Sequence, residues 1–195
     1  APADKRYPMV RCSQSTVVLD SLYGCLRHRC GMDIRGSSLR GIGNVDEPAT
    51  VELMQEDTTF MKFPLSEVSF NDHGMTAPRA DFELYYKGDT VWHPECAMRF
   101  DVHNQMISVT RQMEGIGQQA FEDGYHALEW DVEGFSWKIG HPQIEIGYPL
   151  VDNAKAGQFK SLNYFEKSSF DQLQGIDPIH PVIELYRFQK STGLR

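Results

Sequence analysis

Between residues 49 and 151, apolar and polar positions alternate over most of the chain. A period of two places every second side chain on one face of an extended strand, so the pattern predicts half-buried β-strands. Ala49–Gln55 and Thr58–Phe63 follow it on either side of Glu56-Asp57. Glu67–Phe70 leads into Asn71-Asp72-His73-Gly74, residue types suited to a tight turn. Phe82–Tyr86 and Thr90–His93 flank Lys87-Gly88-Asp89, and Cys96–Val102 and Met106–Arg111 flank His103-Asn104-Gln105, which predicts two further hairpins. Met75–Ala80 is expected to be irregular, and 115–124 to be a loop or a short helix over Gln118–Glu122. Gln143–Val151 and Val182–Phe188 read as the last strands.

The most regular stretch is Tyr125–His141. A two-residue loop at Glu133-Gly134 would set Val132 against Phe135, Trp130 against Trp137 and Leu128 against Ile139, all on one face. Glu129 would then meet Lys138 on the other face, an opposite-charge pair worth roughly 0.2–1 kcal/mol. The same register brings His126 opposite His141.

Outside this region the pattern changes. Residues 1–13 carry two prolines and read as an extended arm. Ser15 or Thr16 would cap a helix within 14–30, with Val18, Leu22, Cys25 and Leu26 at helical spacing, Gly31 as its stop and Gly24 as an internal cost of about 1 kcal/mol. Residues 31–48 are Gly- and Ser-rich and read as a long irregular connection, and 152–181 as a second one with a helical turn at Ser169–Gln174. The fold expected is therefore one mainly β domain: an antiparallel meander of about ten short strands over 49–151 plus 182–188, closing as a barrel or a two-sheet sandwich, with one N-terminal helix and long irregular arms.

Composition bounds the function. A chain of 195 residues with 41% hydrophobic and 24% charged residues supports an ordinary core without staples. A net charge of -8 argues against nucleic-acid binding, although Arg27, His28, Arg29, Arg35 and Arg40 form a local basic group. No apolar run approaches the roughly 18 residues of a membrane span, and no signal peptide is visible in the chain as given, so localisation stays open. Cys12, Cys25, Cys30 and Cys96 are too sparse for a disulfide scaffold and are read as free thiols; Cys25-x4-Cys30 lacks the second pair of a zinc site.

The candidate chemistry is sparse. His126 and His141, paired by the hairpin register, are candidate metal ligands or an acid–base pair, with Glu145 or Asp123 as a further ligand. His93 and His103, near Glu95, Cys96 and Asp101, have residue types suited to a metal, but alternation turns Asp101 and His103 to the face opposite Phe100 and Val102. Asp72-His73 is a candidate catalytic turn. Cys96 paired with a histidine would make a nucleophile, yet it shares a face with Met98 and Phe100, which points to an inert buried thiol. Trp92, Trp130 and Trp137 are core residues or the lining of a ligand cavity.

No P-loop, G-x-S-x-G elbow or H-E-x-x-H motif is present. The reading that follows leans away from an enzyme: a structural or assembly subunit of a larger complex or virion, whose long arms contact neighbouring protein subunits. No cofactor is expected. The alternatives are a β-barrel holding a small apolar or pigment-like ligand, and a metal- or histidine-dependent enzyme centred on His126 and His141, which would take a divalent metal.

Overall fold

The computed structural model describes residues 9–12, 17–44, 46–147, 157–162, 167, 171 and 180–192. The chain divides into two compact units, Ala1–Lys160 and Ser161–Arg195. In the first, the alternating pattern becomes antiparallel sheet. Its strands are β1 (Met9–Cys12), β2 (Val18–Leu22), β3 (Leu26–Arg29), β4 (Gly31–Arg35), β5 (Ser38–Ile42), β6 (Ala49–Gln55), β7 (Thr58–Leu65) and β8 (Glu67–Asn71). There follow β9 (Gly74–Tyr86), β10 (Asp89–Asp101), β11 (Met106–Arg111), a 3₁₀ turn at Gly115–Gln118, β12 (Phe121–Asp123), β13 (Leu128–Asp131), β14 (Gly134–Lys138), β15 (Ile144–Ile146) and β16 (Gln158–Ser161).

The molecule is organised on the long β9–β10 hairpin, each strand of which has 13 residues. The Gly74-proximal half of β9 pairs with β8, and its far half with β7; β10 pairs with β12 near its start and with β11 near its end. Two arms result. The first runs β1-β4-β5-β8-β9-β10-β11-β14-β15, and the second carries β2-β3-β6-β7 on β9 and β12-β13-β16 on β10. The pairing order has free ends and does not close into a barrel.

The inner faces of the arms meet. His28 on β3 lies edge-on to Phe70 on β8 with ring centroids 5.5 Å apart, Phe60 on β7 is 4.8 Å from Trp137 on β14, and Phe82 on β9 is 5.2 Å from Phe135 on β14. Phe63, Phe82, Phe100, Phe121 and Phe135 are all fully buried there, each burial worth about 2–3 kcal/mol. Contact is close enough that a Cβ on Gly41 of β5 would fall 2.4 Å from the His28 ring.

Four of the strands expected over 49–111 have bounds close to those observed, as in β6 (Ala49–Gln55) and β11 (Met106–Arg111), whereas Thr90–His93 and Cys96–Val102 merge into the single strand β10 and Phe82–Tyr86 is only the end of β9. Several other expectations are corrected. Within 14–30 the described residues are two strands, not a helix: the chain reverses at Tyr23–Cys25, where Tyr23 (φ 52) and Gly24 (φ 84) take left-handed backbone. The supposed irregular stretch 31–48 contains the β4–β5 hairpin, and Met75–Ala80 belongs to β9. Residues 115–124 divide into the 3₁₀ turn and β12.

The 125–141 hairpin does not form. β13 pairs with β12 and β16, while β14 pairs with β11 and β15. Trp130 faces Phe121, and Trp137 faces Ile107 and Ile144. Gly134 is not a turn residue; it sits beside β11, where a Cβ would come 2.3 Å from the Val109 carbonyl oxygen. Val132 and Glu133 instead carry the chain from one arm to the other. The charge pair proposed for Glu129 is replaced by Glu129 opposite Glu122.

In the second unit, 182–188 is not a strand but lies in helix α1 (Pro181–Thr192). Proline suits a first helical position because its missing N–H has no intrahelical role there. The Val182 N–H donates to His180 Nδ1 at 3.2 Å, and the Ile183 and Glu184 N–H groups donate to the His180 carbonyl. Val-Ile-Glu-Leu-Tyr-Arg-Phe is rich in β-branched and aromatic residues, which suits a strand, but its polar residues recur every third position and Val182, Leu185 and Tyr186 share a helical face. The expected arm at 1–13 lies outside the described residues except for β1, and the expected strand beyond Gly147 and the turn at 169–174 lie outside them except for Asp171, which is helical.

Candidate functional site at the bend of the sheet

The bend between the arms has a sequence cause. Proline donates no ladder hydrogen bond, so within strands it marks bulges and edges. β9 contains Pro78 and β10 contains Pro94. Pro94 and Glu95 together oppose Asp81, and Pro78 and Arg79 together oppose Ala97, so each strand carries one extra residue and the hairpin turns.

Side chains satisfy the backbone groups freed by these bulges. The Glu95 N–H donates to His93 Nδ1 at 3.1 Å, and His93 Nε2 lies 2.9 Å from the Gln119 carbonyl. His93 therefore carries its proton on Nε2, and its ring packs tilted against Phe121 with centroids 4.6 Å apart. Cys96 Sγ donates to the Ala80 carbonyl at 3.3 Å, and Gln112 Nε2 to the Pro78 carbonyl at 2.6 Å. Burial lowers the His93 pKa and raises that of the Cys96 thiol, so both are neutral structural ties at neutral pH.

Two adjoining concavities, of about 620 and 400 Å³, lie along this bend and share Asp81, Pro94 and Ile116. Trp92 and Ile116 line them as partly exposed apolar residues, 38% and 55% accessible. Register fixes the surroundings of Trp92: Glu83 of β9 lies on one side and Glu122 of β12 on the other. Glu83 accepts a hydrogen bond from the Tyr85 hydroxyl and lies 3.7 Å from Lys62 Nζ. Glu95 pairs with Arg79 at 3.3 Å. Asp81 has no ion-pair partner among the described residues; partial burial raises its pKa, and the charges of Glu83 and Glu95 raise it further. The site is an apolar groove bordered by carboxylates, of which Glu83 and Glu95 are paired with Lys62 and Arg79 and Asp81 is not paired among the described residues.

The residues singled out from sequence lie elsewhere, apart from Trp92, His93, Glu95 and Cys96. His126 Nδ1 is 2.7 Å from Asp123 Oδ2, in the turn after β12, and the Asp123 carboxylate also accepts the His126 N–H. The register that set His126 opposite His141 is absent; the His141 carbonyl accepts the Trp137 indole N–H at 2.8 Å. Asp72 and His73 are exposed in the β8–β9 turn, which Asn71 Oδ1 closes by accepting the His73 and Gly74 N–H groups. Asp101 accepts both the backbone and side-chain N–H of Asn104, which lowers its pKa, beside an exposed His103.

Trp130 packs on Phe159 and Trp137 on Phe60, so each indole has separate surroundings. No cluster of three or more metal-binding side chains occurs among the described residues. The four cysteines are free thiols. The basic group is dispersed: His28 is buried, Arg27 and Arg29 lie by Glu52, and Arg35 and Arg40 by Asp33. No helix among the described residues is long and apolar enough to cross a membrane. Comparison with protein-family models, with curated proteins and with solved structures finds no match to this chain.

The groove itself was missed in the sequence. Its signal was the pair of prolines placed inside otherwise strand-like runs, which were read as an irregular stretch and a strand end.

Proposed function

We propose that the chain is a non-catalytic assembly subunit, a two-layered β-sandwich that associates with copies of itself. The observation that carries this reading is helix α1. Val182, Ile183, Leu185 and Tyr186 are 42%, 40%, 68% and 59% exposed on one short helix. A helix of about 12 residues is marginal in water without a partner for its apolar face. Seating such a side chain against a neighbour is worth about 1.5–3 kcal/mol before the cost of association. The open sheet adds a second means of contact. At its β1 end Met9 and Val10 are 55% and 51% exposed, and an edge strand that exposes apolar residues pairs readily with another chain. Like edges meet across a two-fold axis, which favours identical partners.

A photo-crosslinking amino acid at Tyr186 tests the contact directly. Irradiation of the purified chain is expected to give covalent dimers at that position and none from the same group at Asp72 in the exposed β8–β9 turn. Monomer alone from the Tyr186 probe, at concentrations up to the solubility limit, overturns the reading.

A further inference from the structure

We propose that the groove at the bend is a docking site for an arginine-bearing extended segment of a partner protein, with the guanidinium seated over the Trp92 indole. The inference does not rest on self-association. It rests on register: the two strands beside β10 place Glu83 and Glu122 on either side of Trp92. An indole face attracts a cation, and Arg favours it because its planar group stacks while its N–H fork remains free for carboxylates. Asp81, with no ion-pair partner among the described residues, and Glu95 extend the negative field along the groove.

The local cations are few. Lys62 lies on Glu83, and Arg79, itself 72% exposed, lies on Glu95; both pairs are partly open to solvent, at 3.7 and 3.3 Å, and an incoming arginine can compete with them. The apolar part of the floor has an equally specific counterpart. Ile116 and Pro94 lie where the two concavities join, so an aliphatic residue next to the arginine in the segment has a place to rest. The partner chemistry is thus a short run of alternating aliphatic and arginine residues. A purely apolar ligand would leave the carboxylates desolvated without partners, and an acidic one would be repelled.

The probe is an end-blocked Leu-Arg-Leu-Arg-Leu peptide, titrated into the full chain with tryptophan fluorescence and calorimetry. Saturable binding is expected, weakened about tenfold or more by D81N/E83Q and by W92A, and weakened by added salt. The peptide with citrulline in place of arginine removes the charge and keeps the shape, and is expected not to bind. Circular dichroism of D81N/E83Q, whose substitutions keep side-chain size, verifies the fold. Equal affinity for the arginine and citrulline peptides, or binding unchanged in the variants, overturns the proposal. So does a W92A variant that alters sedimentation mass while peptide binding is absent, since the groove would then be an interface between copies.

Discussion

Two residues show how closely the arms are fitted. Gly41 has no room for a methyl group: a Cβ there would lie 2.4 Å and 2.6 Å from His28 ring atoms and 2.7 Å from Val68. Gly41→Ala is expected to destabilise the fold by about 1–3 kcal/mol, read as a lower urea midpoint, because the ring cannot retreat from Phe70 without repacking the core. An unchanged midpoint would mean that the arms are not in contact there. His28 and His93 make the second case. Burial lowers both pKa values, as the main cause in each. A histidine depressed in the folded state contributes stability that is complete above its unfolded value, near pH 6.5, and is lost as pH falls through the folded value. The urea midpoint is therefore expected to fall over a range that begins near pH 6.5 and extends to lower pH. In His93→Gln that fall is expected to be shallower; an equally steep fall would exclude His93 as a source. At lower pH still, Asp33, whose carboxylate Arg35 and then Arg11 and Arg40 hold below the usual range, adds a loss of the same sign.

At the scale of elements, what was legible followed from local periodicity, and what was not depended on partners far along the chain. Alternation gave β6, β7, β8 and β11 because those strands bury one face and expose the other. The same alternation in 125–141 was real, but which strand lies alongside is not a local property: Trp130 finds Phe121 and Trp137 finds Ile107. The chain places successive hairpins in different arms, β2–β3 in the second, β4–β5 in the first, then β6–β7 in the second again. A reading based on neighbours in sequence produces a meander instead. Short segments next to glycines failed for a related reason. Leu26–Arg29 and Gly31–Arg35 are strands because β6 and β5 pair with them, not because of their own propensity. Of the groove and the bend beneath it, Trp92, His93, Glu95 and Cys96 were singled out from the sequence. Glu83 and Glu122 could not be placed around Trp92 without the register of three strands.

The whole molecule combines a well-buried core with surfaces that remain unsatisfied. The polar groups at the bend are bonded by His93, Cys96 and Gln112, so residue types that first suggested chemistry are held in structural roles. Helix α1 is the opposite case, with large apolar side chains left in solvent. Self-association through α1 follows from that contrast, and sedimentation equilibrium of the full chain over a wide concentration range reads it out. It predicts an average mass rising above the 22.3 kDa of one chain with concentration, and a return to monomer in L185D/Y186D with the β-sheet circular dichroism unchanged. A mass of one chain at every concentration, in the wild type and the variant alike, would contradict it.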